Sequence, residues 1–353
     1  MHQCRLPLLV VCLAFAASLS QAQSALLDLP RKSQHAVVTQ TVGITDITLN
    51  YSRPLVNGRK VWGGIVPYGE VWRTGANENT IITFTDPVSI EGKPLDKGTY
   101  GLFMIPSEDQ WTVIFSKTST AWGAFTYKPD EDVLRVTVKP GPAEFHDAMV
   151  YDFDDLKPDS AVVTLRWDKI AVPFKVSVNV PQIVEQSLNK QFRGQAQYLW
   201  ESYDDAANYF LDAKVDLPEG LKYADKSIEN EERYDNLMTK SQILEAMGKT
   251  EEAKTYQAKA LEKANAPQMY TYARQLQRAH KQDDAFAIYR NLAKKYPSDW
   301  ITYAGEARLA VGSGNYDDAL KQMKLCLANA PDNQKQGVQT LIKRLEDKQD
   351  INK

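Results

Sequence analysis

Histidine and cysteine are the scarcest chemistry-bearing residues of this 353-residue chain, with four and three copies. No two histidines fall at His-x-x-x-His spacing and no Cys-x-x-Cys pair occurs, so neither a helical nor a ribbon-type zinc site is encoded. A Gly-x-Ser-x-Gly turn that would raise a nucleophilic serine is also missing, as is a phosphate-cradling glycine loop. No cofactor and no metal is implied. Positive charge is not in excess: 42 basic against 45 acidic residues leave a net charge of −3, which excludes nucleic acid and anionic membrane surfaces as broad partners. The one long apolar run, Leu6 to Leu19, falls short of the roughly 20 residues needed to span hydrocarbon.

That run has another meaning. It follows the basic Arg5 and leads into Ser20-Gln-Ala22, a small-x-small cleavage site, so residues 1–22 read as a signal peptide cut after Ala22. The protein is then exported, to a periplasm or the exterior. Cys4 and Cys12 leave with the signal, Cys326 remains alone, and no internal disulfide can form.

What is present falls into two compositions. From about residue 29 to 180, short β-branched and aromatic runs predict strands over Ile44–Tyr51, Thr80–Thr85, Tyr100–Ile105, Trp111–Ser116, Val133–Lys139, Ala161–Trp167 and Val172–Val180. Turn pairs such as Asn57-Gly58 and Glu91-Gly92 separate them, and no helical period intervenes, which predicts an all-β sandwich or barrel rather than alternating α/β units. The acidic stretches Asp130-Glu-Asp132 and Asp152-Phe-Asp-Asp155 read as solvated turns, because they lack the spacing of a calcium loop. His146, solitary beside Glu144 and Asp147, reads as an exposed strand-edge residue.

The most unusual stretch is Val66 to Phe84, Val-Pro-Tyr-Gly-Glu-Val-Trp-Arg-Thr-Gly-Ala-Asn-Glu-Asn-Thr-Ile-Ile-Thr-Phe. Together with Tyr51-Ser-Arg-Pro, Gly98-Thr-Tyr-Gly-Leu-Phe-Met-Ile-Pro, Trp111-Thr-Val-Ile-Phe, Trp122-Gly and Asp132-Val-Leu-Arg-Val-Thr-Val, it resembles the domain-of-unknown-function family 2911. The resemblance marks these positions and implies no chemistry. Physically the loop admits two readings. Tyr68 and Trp72 offer stacking faces, while Arg73, Asn77 and Glu78 offer a fork, an amide and a carboxylate, a set able to hold a polar ligand or a glycan. Alternatively, Arg73 and Glu78 pair with each other while Trp72 fills the core, in which case Arg73→Ala would cost about 2 to 4 kcal/mol.

After Pro181 the β-branched runs vanish and Ala, Leu, Lys, Glu and Gln take over. Residues 182–195 read as a linker and 196–350 as an all-α repeat domain. Small residues recur at Ala207, Ser241, Ala273 and Ala307, and at Ala253, Ala285 and Ala319, with Pro297 and Pro331 closing two units. Only such residues let two helices approach closely. The pattern resembles the tetratricopeptide repeat, whose first helices line a concave groove. In that register Arg274 and Arg308 are equivalent positions one unit apart, with Tyr270 a turn before Arg274. Two like charges so placed invite a carboxylate from a protein partner, or else pair with neighbours such as Glu306. Cys326 aligns with Ala260 and reads as an inert packing residue.

The resulting expectation is an exported, non-enzymatic binding or scaffold protein. Its repeats engage a protein segment and its β domain a polar ligand or an envelope component. The alternatives are a hydrolase with Glu78 as base and Arg73 on an oxyanion, or a carbohydrate-binding module stacking sugars on Trp62, Trp72 or Trp122.

Overall fold

The computed structural model describes residues 29–353, so the signal-peptide reading of residues 1–22 lies outside the described residues. By its internal contacts the chain divides into two units, one through Ile183 and one from Val184.

The first unit holds two antiparallel sheets. One runs in the order β1 (Gln34–Val42), β2 (Thr45–Arg53), β3 (Ile81–Phe84), β6 (Gly98–Ile105), β7 (Trp111–Ser116), β8 (Asp132–Val138). The other runs β5 (Lys93–Leu95), β4 (Val88–Ile90), β10 (Ser160–Val178), β9 (Gly141–Lys157). Both sheets contribute to one core, to which β2 turns Ile47, Leu49 and Tyr51 and β10 turns Leu165, Trp167 and Phe174. Alternation along each strand sends the next residue to the outer face. At the centre Trp62, Trp72, Trp111 and Trp167 pack edge-on or stacked, with ring centroids 4.8 to 5.8 Å apart. Rings in this range interact by quadrupole as well as by burial.

Two expectations are corrected here. The segments around Asp168-Lys169 form one strand, β10, because register shifts on both sides of Asp168, whose φ is +54°, absorb the polar pair as a bulge. The acidic Asp152-Phe-Asp-Asp155 is strand rather than turn, since β9 pairs only with β10 and an edge strand can keep its acids in water. Asp132 is likewise no solvated turn. Its carboxylate, 6% exposed, accepts from Tyr127 Oη and from Arg135 Nε, each at 2.6 Å.

Ten α-helices follow among the described residues, consistent with helical repeats. After α1 (Val180–Gln191) they form consecutive pairs: α2 (Trp200–Ala213) with α3 (Leu217–Asn230), α4 (Tyr234–Ala246) with α5 (Thr250–Lys263), α6 (Ala266–Arg278) with α7 (Gln282–Lys295), and α8 (Trp300–Gly312) with α9 (Tyr316–Asn329). Helix α10 (Asp332–Glu346) packs against α9. The first helices begin 34, 32 and 34 residues apart, the same spacing as the small residues. Those residues are buried: Ala207, Ala273, Ala307, Ala285 and Ala319 are at 0% exposure, and Ser241 and Ala253 nearly so. Cys326 is buried among them, and burial pushes its thiol up to about 11, which leaves it protonated and unreactive.

The stretch expected as a linker is mostly helix α1. Pro181 sits in its first turn, where its missing N–H loses no bond. Ile183 enters the sandwich core, while Leu188 and Phe192 join the first helical cluster, where Phe192 stacks on Tyr203 at 4.1 Å. No helix among the described residues is long and apolar enough to cross a membrane.

Candidate functional site

The Val66–Phe84 loop is held by main-chain bonds that leave its tip projecting. Trp72 exchanges both backbone bonds with Met104, at 2.8 and 2.9 Å. Thr74 is fully buried with φ +51°, a conformation costly for a β-branched residue at roughly 1–3 kcal/mol. It is fixed there by its own Oγ1 donating to Leu102 O and by Thr80 Oγ1 donating to Thr74 O, each at 2.9 Å. The sharp reversal that follows, with Asn77 also at positive φ, delivers Glu78 and Asn79 to the surface of the six-stranded sheet.

There they line a cleft of about 810 Å³, within the size range of small-ligand sites. Its other polar walls include Arg31, His35, Asn50, Ser52, Ser119 and Thr120. Arg31 Nη1 donates to both Glu78 oxygens, at 2.7 and 2.9 Å, and its guanidinium lies 5.8 Å from the centroid of Trp122. Trp122 is 56% exposed. His35 Nε2 and Asn50 Oδ1 are hydrogen-bonded at 2.5 Å. Burial pushes the Glu78 carboxyl up, but the hydrogen bond and charge of Arg31 outweigh it and hold the group below its ordinary value.

Asn79 is 5% exposed, and its amide is oriented unambiguously. Nδ2 donates to two carbonyls, Thr80 O and Thr118 O, so Oδ1 must face the other way, where it accepts nothing. Gly101 makes this possible, since a Cβ there would lie 2.7 Å from Asn79 Nδ2 and 2.1 Å from Thr118 O. A buried acceptor without a partner costs on the order of 1–3 kcal/mol, and this oxygen is sealed from solvent, so that cost is carried by the fold rather than offered to the cleft.

Of the loop residues singled out in the sequence, the structure brings only Glu78 into this cleft, with Asn77 behind it donating to Ser33 O and Ser52 Oγ at 3.2 Å. Trp72 belongs to the tryptophan cluster, and Tyr68, 40% exposed, packs its ring beside Gly63. The Arg73–Glu78 pair does not exist, because Glu78 is taken by Arg31. The Arg73 side chain is half-buried, forms no hydrogen bond or ion pair with the described residues, and is pushed down by that burial. Arg31, His35, Asn50 and Asn79 were missed. Only Asn79, inside the signature and next to Glu78, carried a readable signal.

The groove residues of the repeats are also placed. Arg274 and Arg308 are each the ninth residue of their helix, α6 and α8. Arg308 is 4% exposed, and its Nε donates to Tyr270 Oη at 2.8 Å. Its Nη1 donates to the backbone carbonyl of Ile351. Arg274 donates to Gln277 Oε1 at 2.6 Å, and burial followed by the nearby Arg308 charge lowers its pKa. Neither pairs with an acid among the described residues, and Glu306 faces a different hollow beside Phe286 and Arg290.

A strained loop delivering polar side chains to an open cleft, on an all-β domain followed by a region of ten helices consistent with helical repeats, defines a class of two-unit protein with a surface cleft. Among known families, residues 33–176 match the model described as "Protein of unknown function (DUF2911)", a span that holds every strand of the two sheets up to the last residues of β10. No curated protein matches the chain.

Proposed function

We propose that this is an exported, non-enzymatic binding protein whose β domain receives one sugar ring of a glycan in the Glu78–Asn79 cleft and whose repeats engage a protein segment. The observation that carries the first half is the cleft itself, whose walls set the Glu78 carboxylate, the Asn50 amide and the Arg31 guanidinium around one open hollow. Glu78 offers acceptors, Asn50 and Arg31 offer donors, and a sugar ring carries both kinds of group. Trp122, exposed and joined to Glu78 by a β-bridge with Arg31 over its ring, is the stacking candidate next to the cleft, whereas Trp62 and Trp72 are spent in the core.

A hydrolase is less well supported. Arg31 keeps the Glu78 carboxyl ionised and occupied, which makes it a weak base, and Arg73 is not among the residues of that cleft. Export rests on the reading of residues 1–22 as a signal.

Calorimetric titration of the mature protein with a panel of neutral, amino and acidic mono- and disaccharides tests the proposal. At least one class is expected to bind, and Asn50→Ala and Trp122→Ala should each weaken it about tenfold or more, the scale of one buried hydrogen bond or one stacked ring. Absence of binding across the panel, or binding indifferent to both substitutions, would overturn it.

A further inference from the structure

Residues 350–352 fold back onto α6 and α8. Beyond α10 the backbone folds back so that Ile351 is 1% exposed among Ala304, Ala307, Val311 and Leu345. Its carbonyl accepts from Arg308 Nη1. Asn352 then bonds in two directions: Nδ2 donates to Arg308 O at 3.0 Å, and Oδ1 accepts from Gln277 Nε2 at 2.8 Å. Arg344 Nη2 donates to Asp350 O at 2.7 Å and completes the hold on the segment.

These are contacts of the kind peptide recognition uses: Arg308 of α8 and Arg344 of α10 read main-chain carbonyls, an apolar pocket takes one aliphatic side chain, and Gln277 of α6 fixes the side-chain amide of the next residue. The electrostatics are left incomplete. Among the described residues Arg308 bonds only neutral acceptors, and no carboxylate pairs with Arg274 or Arg308, whose charges lie near each other. A charged acceptor would bind such a pair more strongly than the carbonyl and amide now present.

We infer that segment 350–352 occupies a peptide-binding groove in cis, and that the groove's partner in trans is an extended protein segment with an aliphatic residue followed by an acidic one. This rests on the reading that the repeats engage a protein segment. Tethering gives the cis segment an effective concentration in the millimolar range, so a trans segment competes only if it binds better or if the cis segment is released.

The test uses a fluorescent peptide copying residues 346–353 with Asn352→Asp, titrated by anisotropy into the full chain. Ile351→Ser, which empties the apolar pocket, should bind this peptide at least tenfold more tightly than the unsubstituted chain. Adding Arg308→Gln should abolish the gain. Asn352→Ala, which leaves Ile351 in its pocket, should give a smaller gain and decides the matter if Ile351→Ser does not fold. Equal, Arg308-dependent binding by the substituted and unsubstituted chains would overturn cis occupancy while leaving the groove as a peptide site. Binding by none of them would overturn both.

Discussion

The two units treat their polar side chains in opposite ways. In the helical unit, the buried Arg308 finds acceptors on Tyr270 and Ile351, and Gln277 bonds to Arg274, Tyr289 and Asn352, so these polar groups are satisfied by a segment of the same chain. In the β domain, Asn79 Oδ1 and Arg73 Nε are buried with nothing to bond, and the cleft beside Asn79 stands open. A site satisfied in cis is recognised by what would compete with its occupant; a site left unsatisfied is recognised by what would complete it. Position also differs. The groove is set by a repeat, whereas the cleft is assembled from the segment before β1, from β2, from the signature loop and from residues 119–120.

The largest expected effect tests where the aromatic mass of the signature region acts. Trp62→Ala should destabilise the sandwich by about 3–5 kcal/mol, since Trp62 touches all three other rings of the cluster. Denaturant unfolding followed by tryptophan fluorescence measures it, and a change below about 1 kcal/mol would mean that the cluster is not the core. Next, Arg308→Ala should cost the repeats about 2 kcal/mol by stranding the Ile351 carbonyl and removing charge-assisted bonds. Arg73→Ala is the contrast. With no partner to strand, it should shift stability by less than about 1 kcal/mol in either direction, against the 2 to 4 kcal/mol that a buried pair with Glu78 would have implied. A loss of that larger size would mean that Arg73 has a partner in solution.

The repeats were legible because their signal is periodic. Ala207, Ser241, Ala273 and Ala307 announce their spacing, and the same register puts Arg274 and Arg308 in line. It could not announce that residues 350–352 return to Arg308, since that contact spans 43 positions and depends on where α10 points. Strands with clear apolar alternation, such as β7, were legible to the residue. β9 was not, because an edge strand with polar outward residues has the composition of a loop. The cleft was least legible. Arg31 reaches Glu78 across 47 positions, and nothing in the local chemistry of Val66–Phe84 distinguishes that partner from the nearer Arg73.

The Arg31–Glu78 pair makes a modest prediction about pH. Because the folded Glu78 titrates below its ordinary 4.5, its contribution is complete above that value and is lost only as the pH falls through the lower folded one. The cleft pair should thus be intact at pH 5, with the Glu78 side-chain carbon resonance showing its inflection below 4.5. An inflection above 4.5 would mean that Arg31 does not hold the carboxylate.

Another small expected effect carries the comparison back into the helical unit, at a place among the described residues where it resembles the cleft. Asp204 on α2 is 8% exposed, with Oδ2 accepting from Asn208 Nδ2 at 3.2 Å and Oδ1 accepting nothing. Burial raises its pKa, and the neighbouring charges of Asp235 and Asp205 add to the rise against its hydrogen bonds. A carboxyl that titrates higher when folded favours folding while protonated and opposes it once ionised, so its penalty is absent below the unfolded value and grows as the pH rises through the folded one. Asp204→Asn removes the charge and keeps the shape. It should stabilise the repeats at pH 7 by on the order of 1 kcal/mol, the scale of one stranded buried group, and the gain should shrink as the pH approaches about 4, where the aspartate neutralises itself. Thermal melts of both forms at pH 7 and pH 4 give the comparison. Destabilisation at pH 7 would show that the ionised carboxylate, through Asn208, contributes more than its burial costs, and would remove the last likeness between the repeats and the open cleft.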